Sequence, residues 1–162
     1  MLVITHRQML VIAHRANLNG PDPASENTPS AITRALSLGF DVEIDIWHID
    51  GGYRLGHDKP QYEVELSWLS GFRDNLWIHC KNIDALYQLS LHNEFNYFWH
   101  QSDDFTLTSK GYIWTYPGKP SSGKSIIVLP ELNLYESYKC FGICTDYPHT
   151  LGVCTDYSDR IM

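Results

Sequence analysis

From Phe40 to Ile46 the chain alternates acid with aliphatic, which is the two-residue period of a strand. Asp41, Glu43 and Asp45 share one face of that strand, and Val42, Ile44 and Ile46 share the other. Carboxylates two residues apart on a strand lie about 6.6 Å apart at the backbone, close enough for their oxygens to converge on one cation. Buried together without one, they would repel. An apolar run opening at Met9 predicts a buried strand over 9–14. Between the two strands, Ser25-Glu26-Asn27-Thr28-Pro29 introduces a helix. Thr28 caps it, Pro29 suits the first turn, and Ile32, Ala35 and Leu36 form an apolar face that stops at Gly39.

Asp50-Gly51-Gly52 predicts a hairpin turn into Tyr53-Arg54-Leu55-Gly56. Residues 76–81 read as a further strand, with His79 and Lys81 on one face and Ile78 and Cys80 on the other; a helix follows over 83–91. Short strands are expected at 96–100, 111–116, 126–129 and 142–145. The strand–helix–strand order predicts parallel pairing with right-handed crossovers. The second half holds too few helices for a full eightfold barrel. Two duplications bracket the chain: residues 1–7 nearly repeat as 9–15, and 142–147 recur as 152–157. Their periods are too short for a solenoid unit, and duplicated strands or a rearranged or designed scaffold would each account for them.

Composition adds bounds rather than chemistry. A chain of 162 residues, 43% hydrophobic and 19% charged, is expected to form one domain with a real core. The net charge of −7 opposes general binding to a nucleic-acid backbone and leaves room for a local phosphate pocket. The apolar run at 125–129 is far too short for a bilayer, and the N-terminus lacks the basic and apolar regions of a signal peptide. No stable membrane insertion and a cytoplasmic setting are therefore expected. Without a secretory context, Cys80, Cys140, Cys144 and Cys154 read as reduced thiols. Cys140, Cys144, His149 and Cys154 fit no familiar zinc spacing, which favours buried thiols over a zinc site.

The chemistry-bearing residues fall at strand ends. His14 and Arg15 close the first strand, His57-Asp58 follow the hairpin after the second, and His79 and Lys81 share a face of the third. An acidic cradle, two histidines, an arginine and a lysine suit phosphoryl chemistry: the cations stabilise phosphate oxygens while the histidines move protons. Each has a plainer reading alone. Arg15 and Lys81 would be surface cations paired with acids, Glu43 and Asp45 an exposed strand face, and Asn27-Thr28-Pro29 a helix start. His6, His48, His92 and His149 are assigned structural places. The joint order carries the functional reading.

That order is His14-Arg15, Glu26-Asn27-Thr28, Glu43-Ile44-Asp45, Asp50-Gly51 and His57-Asp58, with Thr145-Asp146-Tyr147-Pro148 near the end. It resembles the glycerophosphodiester phosphodiesterase family, within the wider group of barrel phosphodiesterases that includes phosphatidylinositol-specific phospholipase C. The resemblance is specific over residues 10–60 and weaker in the middle of the chain. It implies an α/β fold, a compact, abbreviated TIM-type barrel, as one domain over 1–162 with a family-like core at 9–148. It implies a hydrolase of small-molecule phosphodiesters, of the kind met in lipid metabolism. His14 and His57 would be the general acid/base pair, Arg15 and Lys81 would stabilise phosphate, and Glu43 and Asp45 would bind a divalent cation. Glu26 would support the site. Among the aromatics, Trp99, Tyr112, Trp114 and Tyr116 are candidates to line the alcohol side, and core packing is an equal reading for each.

The family commonly takes a third acidic ligand two residues before a lysine, and here that place is His79, before Lys81. Mg or Ca is the family expectation; imidazole at His79 would suit Mn, Zn or Fe better. Three rival readings remain: a metal- and phosphate-binding barrel with weak or no turnover, a rearranged or designed scaffold, and a phosphomonoesterase.

Overall fold

A computed structural model describes residues 9–133 and 139–151. In chain order the elements are β1 (Leu10–His14), α1 (Pro29–Ser37), β2 (Asp41–Ile49), β3 (Gly52–Leu55), β4 (Tyr62–Val64), α2 (Leu66–Gly71), β5 (Leu76–Cys80) and α3 (Ile83–Ser90). There follow β6 (Asn96–Phe98), β7 (Phe105–Leu107), β8 (Ile113–Thr115), β9 (Ser125–Val128), a 3-10 turn (Pro130–Leu132), β10 (Gly142–Thr145) and α4 (Pro148–Leu151). The second copy of the first duplication forms β1, and the first copy of the second forms β10. The remaining copies lie outside the described residues, as does Cys154.

β2 organises the sheet. Its first half runs parallel to β1 on one side and to β5 on the other, which sets His14 beside Glu43 and Asp45 beside His79. Its second half leaves β1 and pairs antiparallel with β3. Asp50 and Gly51 both take positive φ (53° and 78°) at that turn, as a tight hairpin demands. The strand order is β4-β3-β2-β1-β10-β9-β8-β7, with β5 and β6 attached to the other edge of β2.

The 10-stranded sheet curls into a half-barrel, and the abbreviated TIM-type barrel expected from the sequence is not what forms. A barrel of that type follows each parallel strand with a covering helix. Here β2–β3, β3–β4 and β7–β8 are antiparallel, and the connections 99–104, 108–112 and 116–124 contain no helix. No helix among the described residues covers that flank, and Phe105 and Leu107 of β7 are exposed. Among the described residues no ladder joins β6 to β7 or β8. Aromatic packing and isolated hydrogen bonds bridge the gap: the Phe98 and Trp114 ring centroids are 4.5 Å apart, and the Ser109 N–H donates to the Tyr97 carbonyl at 2.9 Å.

Alternation along the strands divides the core in two. Val42, Ile44, Ile46, Leu76 and Ile78 point outward and pack with Ile32 and Ala35 of α1 and with Ala85 and Leu89 of α3. Each such side chain, fully buried, contributes roughly 1.5–3 kcal/mol from leaving water. Thr28 caps α1 by accepting from Ala31 N, and Asn82 caps α3 by accepting from Ala85 N. Ile12, Trp77, Phe98, Trp114, Ile126 and Cys144 fill the concave side. Above that inner layer, at the carboxyl ends of β1, β2 and β5, the polar residues gather. Among the described residues no helix is long and apolar enough to cross a membrane.

Candidate active site

The acidic stripe of β2 is buried throughout but serves two purposes. Asp41, at the amino end, accepts from Asn75 Nδ2 (2.7 Å) and Trp77 Nε1 (2.9 Å). Burial raises its pKa, and these two donors oppose the rise. Glu43 and Asp45, one and two pleats further on, open into a cavity of about 320 Å³. His14, Arg15, His57, His79 and Lys81 line the same cavity, with Trp114 and Tyr116 on its wall.

Glu43 Oε2 accepts from the Arg15 backbone N–H at 3.1 Å and stands 4.0 Å from His14 Nε2. Arg15 and Ala16 make this approach possible by taking successive left-handed conformations, φ 51° and 65°, at a cost on the order of 1–3 kcal/mol each. Burial and the neighbouring Asp45 charge raise the Glu43 pKa. Asp45 is held at two points by Asn27: its Oδ2 accepts from Asn27 Nδ2 and its backbone N–H donates to Asn27 Oδ1, both at 2.9 Å. Asn27 achieves this from a left-handed conformation of its own, φ 59°. Burial would push the Asp45 carboxyl up, but His79, Lys81 and Arg15 together hold it well below the usual carboxylate range. Its Oδ1 lies 3.1 Å from His79 Nδ1 and 3.7 Å from Lys81 Nζ, in ion-pair range of both without an aligned hydrogen bond. Glu43, Asp45 and His79 could hold a metal ion, each offering one ligand atom, all within 4.8 Å of one another.

The two histidines named as acid and base are each anchored through Nδ1. His14 Nδ1 bonds Asp146 Oδ1 at 2.8 Å, and His57 Nδ1 bonds Asp58 Oδ1 at 2.7 Å. Burial opposes a charged His14, yet the Asp146 hydrogen bond and the Glu43 charge raise its pKa above 6.5. Burial would raise the Asp146 pKa, and the His14 contact lowers it. Asn17 Nδ2 also donates to Asp146 Oδ1 at 2.8 Å, and Glu131 Oε1 accepts from the Asp146 backbone N–H at 2.9 Å.

Arg15 reaches Glu26 Oε1 through Nη1 (3.4 Å) and stands 3.5 Å from Asp45 Oδ2 through Nε, which has no hydrogen-bond partner among the described residues. Burial works against its charge, and Glu43, Asp45 and Glu26 outweigh that effect. Glu26 therefore acts through hydrogen bonds to Arg15 and Asn17 and stands apart from the three clustered ligand atoms.

The structure thus gathers His14, Arg15, Glu43, Asp45, His57, His79, Lys81 and Trp114 at one cavity. Trp99 does not line this cavity: it packs against the outer core, and its carbonyl accepts from Thr106 Oγ1. Sequence reading missed Asp146, Asn27, Asn17 and Glu131 as site residues. Asp146 had a signal, since it follows the last strand in Thr145-Asp146-Tyr147-Pro148, and Asn27 stood in the Glu26-Asn27-Thr28 motif just before a helix cap. A second cavity, of about 510 Å³, is lined by the β1–α1 loop and α1, with Asp22 and Arg34 its charged lining residues among those described. It brings together none of the histidine and carboxylate groups. Compared with known proteins, the chain matches no family model, no curated protein and no solved structure.

Proposed function

We propose that this protein is a metal-dependent phosphodiester hydrolase of the glycerophosphodiester type, working through a histidine pair. The observation that carries the reading is the pairing of His14 with Asp146 and His57 with Asp58 at the cavity that holds Glu43, Asp45 and His79. Each histidine has Nδ1 engaged by a carboxylate, so Nε2 is the atom left to exchange a proton with substrate. One takes the proton from the attacking hydroxyl, either the substrate's own neighbouring hydroxyl or a water. The other protonates the departing alkoxide.

Arg15 and Lys81 line the same cavity as Glu43 and Asp45 and would offset the negative charge of both phosphate and cradle. A divalent cation, held by Glu43, Asp45 and His79, would supply Lewis-acid stabilisation of the phosphoryl oxygens. The orphaned Asp45 Oδ1 and the buried carboxylate pair fit such an ion. Trp114 and Tyr116 would face the alcohol portion of a small diester. Among the described residues Cys80, Cys140 and Cys144 form no disulfide, which would suit a cytoplasmic setting.

The test is a panel of phosphodiesters and monoesters assayed with and without chelator, with metal content measured on the same sample. Hydrolysis of diesters, lost on chelation and restored by a divalent ion, is expected. A metal-loaded, folded protein that turns over no diester would overturn the reading, and a preference for monoesters would replace it.

A further inference from the structure

Glu43, Asp45 and His79 share a feature beyond their proximity: each has one polar atom tied to a fixed partner and another turned toward a common point. Glu43 Oε2 accepts from Arg15 N, and Asp45 Oδ2 accepts from Asn27 Nδ2. His79 Nε2 lies 2.8 Å from the carbonyl oxygen of His100. A carbonyl only accepts, so Nε2 carries a proton and a neutral ring has its lone pair on Nδ1. Phe98 fixes the plane of that ring, stacked on it at 5.2 Å with 11° between planes. The inward atoms are then Glu43 Oε1, Asp45 Oδ1 and His79 Nδ1, with Nδ1 standing 3.8 Å and 3.1 Å from the two oxygens. Asp45 is 1% exposed, and among the described residues its inward oxygen has no hydrogen-bond partner.

We propose that this centre selects a divalent transition ion such as Mn²⁺, Fe²⁺, Co²⁺ or Zn²⁺ over Mg²⁺ and Ca²⁺, with His79 Nδ1 as its nitrogen ligand. The proposal rests on the reading of the cluster as a metal centre and does not require turnover. Mg²⁺ and Ca²⁺ bind through oxygen, and Ca²⁺ sites gain affinity from ligand charge. Here the ligands bring two carboxylates and a neutral imidazole, while Lys81 Nζ lies 3.7 Å from Asp45 Oδ1 and Arg15 Nε 3.5 Å from Asp45 Oδ2. Such a site is poor in negative charge and rich in the ligand that borderline ions favour. The His100 carbonyl acts from behind the ligand, fixing the tautomer and making Nδ1 a better donor.

The experiment uses the full chain stripped with chelator, titrated by calorimetry with Mn²⁺, Co²⁺, Mg²⁺ and Ca²⁺. Pulsed electron paramagnetic resonance on the Mn²⁺ complex then reads nitrogen coupling. One ion per chain is expected, with Mn²⁺ or Co²⁺ bound about tenfold or more tightly than Mg²⁺, on the scale of ligand-set effects on affinity, and with a directly coupled nitrogen. His79→Glu should lose the coupling and move selectivity toward Mg²⁺ and Ca²⁺. Equal or tighter Mg²⁺ binding in the unaltered protein, or a Mn²⁺ complex without nitrogen coupling, overturns the proposal even if the variant fails to fold. Nitrogen-coupled Mn²⁺ in a protein that cleaves no phosphodiester supports this assignment and removes the proposed function. Turnover with an ion that shows no nitrogen coupling does the reverse.

Discussion

The His14 imidazole and the Asp146 carboxylate meet at 2.8 Å from opposite ends of the described chain, at the carboxyl ends of the paired strands β1 and β10. The contact joins a titratable ring to a carboxylate charge. Asp146→Asn keeps an oxygen near Nδ1 and removes the charge that favours the imidazolium, so the His14 pKa should fall. The His14-dependent limb of the rate profile should move to lower pH, and imidazole proton resonances followed by NMR should show the same shift. An unmoved His14 titration would deny Asp146 this role.

The same pair gives a stability window. Asp146 is lowered from 3.8, so its contribution is present above that value and is lost as pH falls through its folded pKa. His14 is raised from 6.5, so its contribution is present below that value and is lost as pH rises through its folded pKa. Denaturant melts of the native protein and Asp146→Asn should therefore differ most between pH 3.8 and 6.5.

His14→Ala and His57→Ala should each remove most hydrolysis, since a positioned general acid or base contributes typically about 10²–10⁴-fold. Neither ring belongs to the two hydrophobic cores, so circular dichroism should be unchanged. Near-full activity in both variants would dismiss the two-histidine scheme.

Gly56 takes φ +143°, and a Cβ there would strike the Lys59 carbonyl oxygen. Gly56→Ala should lower the melting temperature and misplace His57, the next residue. Its kcat should fall in step with that displacement, while metal binding at Glu43, Asp45 and His79 persists. A variant with native melting and native kcat would show that the turn relaxes freely.

Burial pushes the Cys80 thiol up to about 12 and the Cys144 thiol well above 9. Little thiolate exists at either site near neutral pH. Cys140 is raised too but is only half-buried. A thiol reagent at pH 8 should label Cys140 before Cys80 and Cys144, which should react only on unfolding. Peptide mapping after timed labelling reads the order.

Removal of residues 1–8 should leave folding intact. The edges of β1 are already occupied by β10 and β2, with register beginning at Leu10 opposite Gly142. An unchanged melting curve is expected, and loss of folding would assign the first copy a place in the sheet.

What the sequence determined by itself was local. Alternation over 41–46 put Glu43 and Asp45 on one face and Ile44 and Ile46 on the other, because side-chain direction along a strand has period two whatever lies beside it. Thr28-Pro29 and the Asp50-Gly51 turn were readable for the same reason: cap and turn chemistry act within a few residues. Tertiary structure alone decided which strands became neighbours. Pairing of β2 with β5 set His79 against Asp45, and pairing of β1 with β10 brought Asp146 to His14. It also separated Asp41 from the other two acids and turned Trp99 into the outer core. Closure was a further nonlocal matter. A barrel needs a covering layer along every parallel crossover, and the helix-free connections between β6 and β9 left a curled half-barrel whose last gap is bridged by the Phe98 and Trp114 rings.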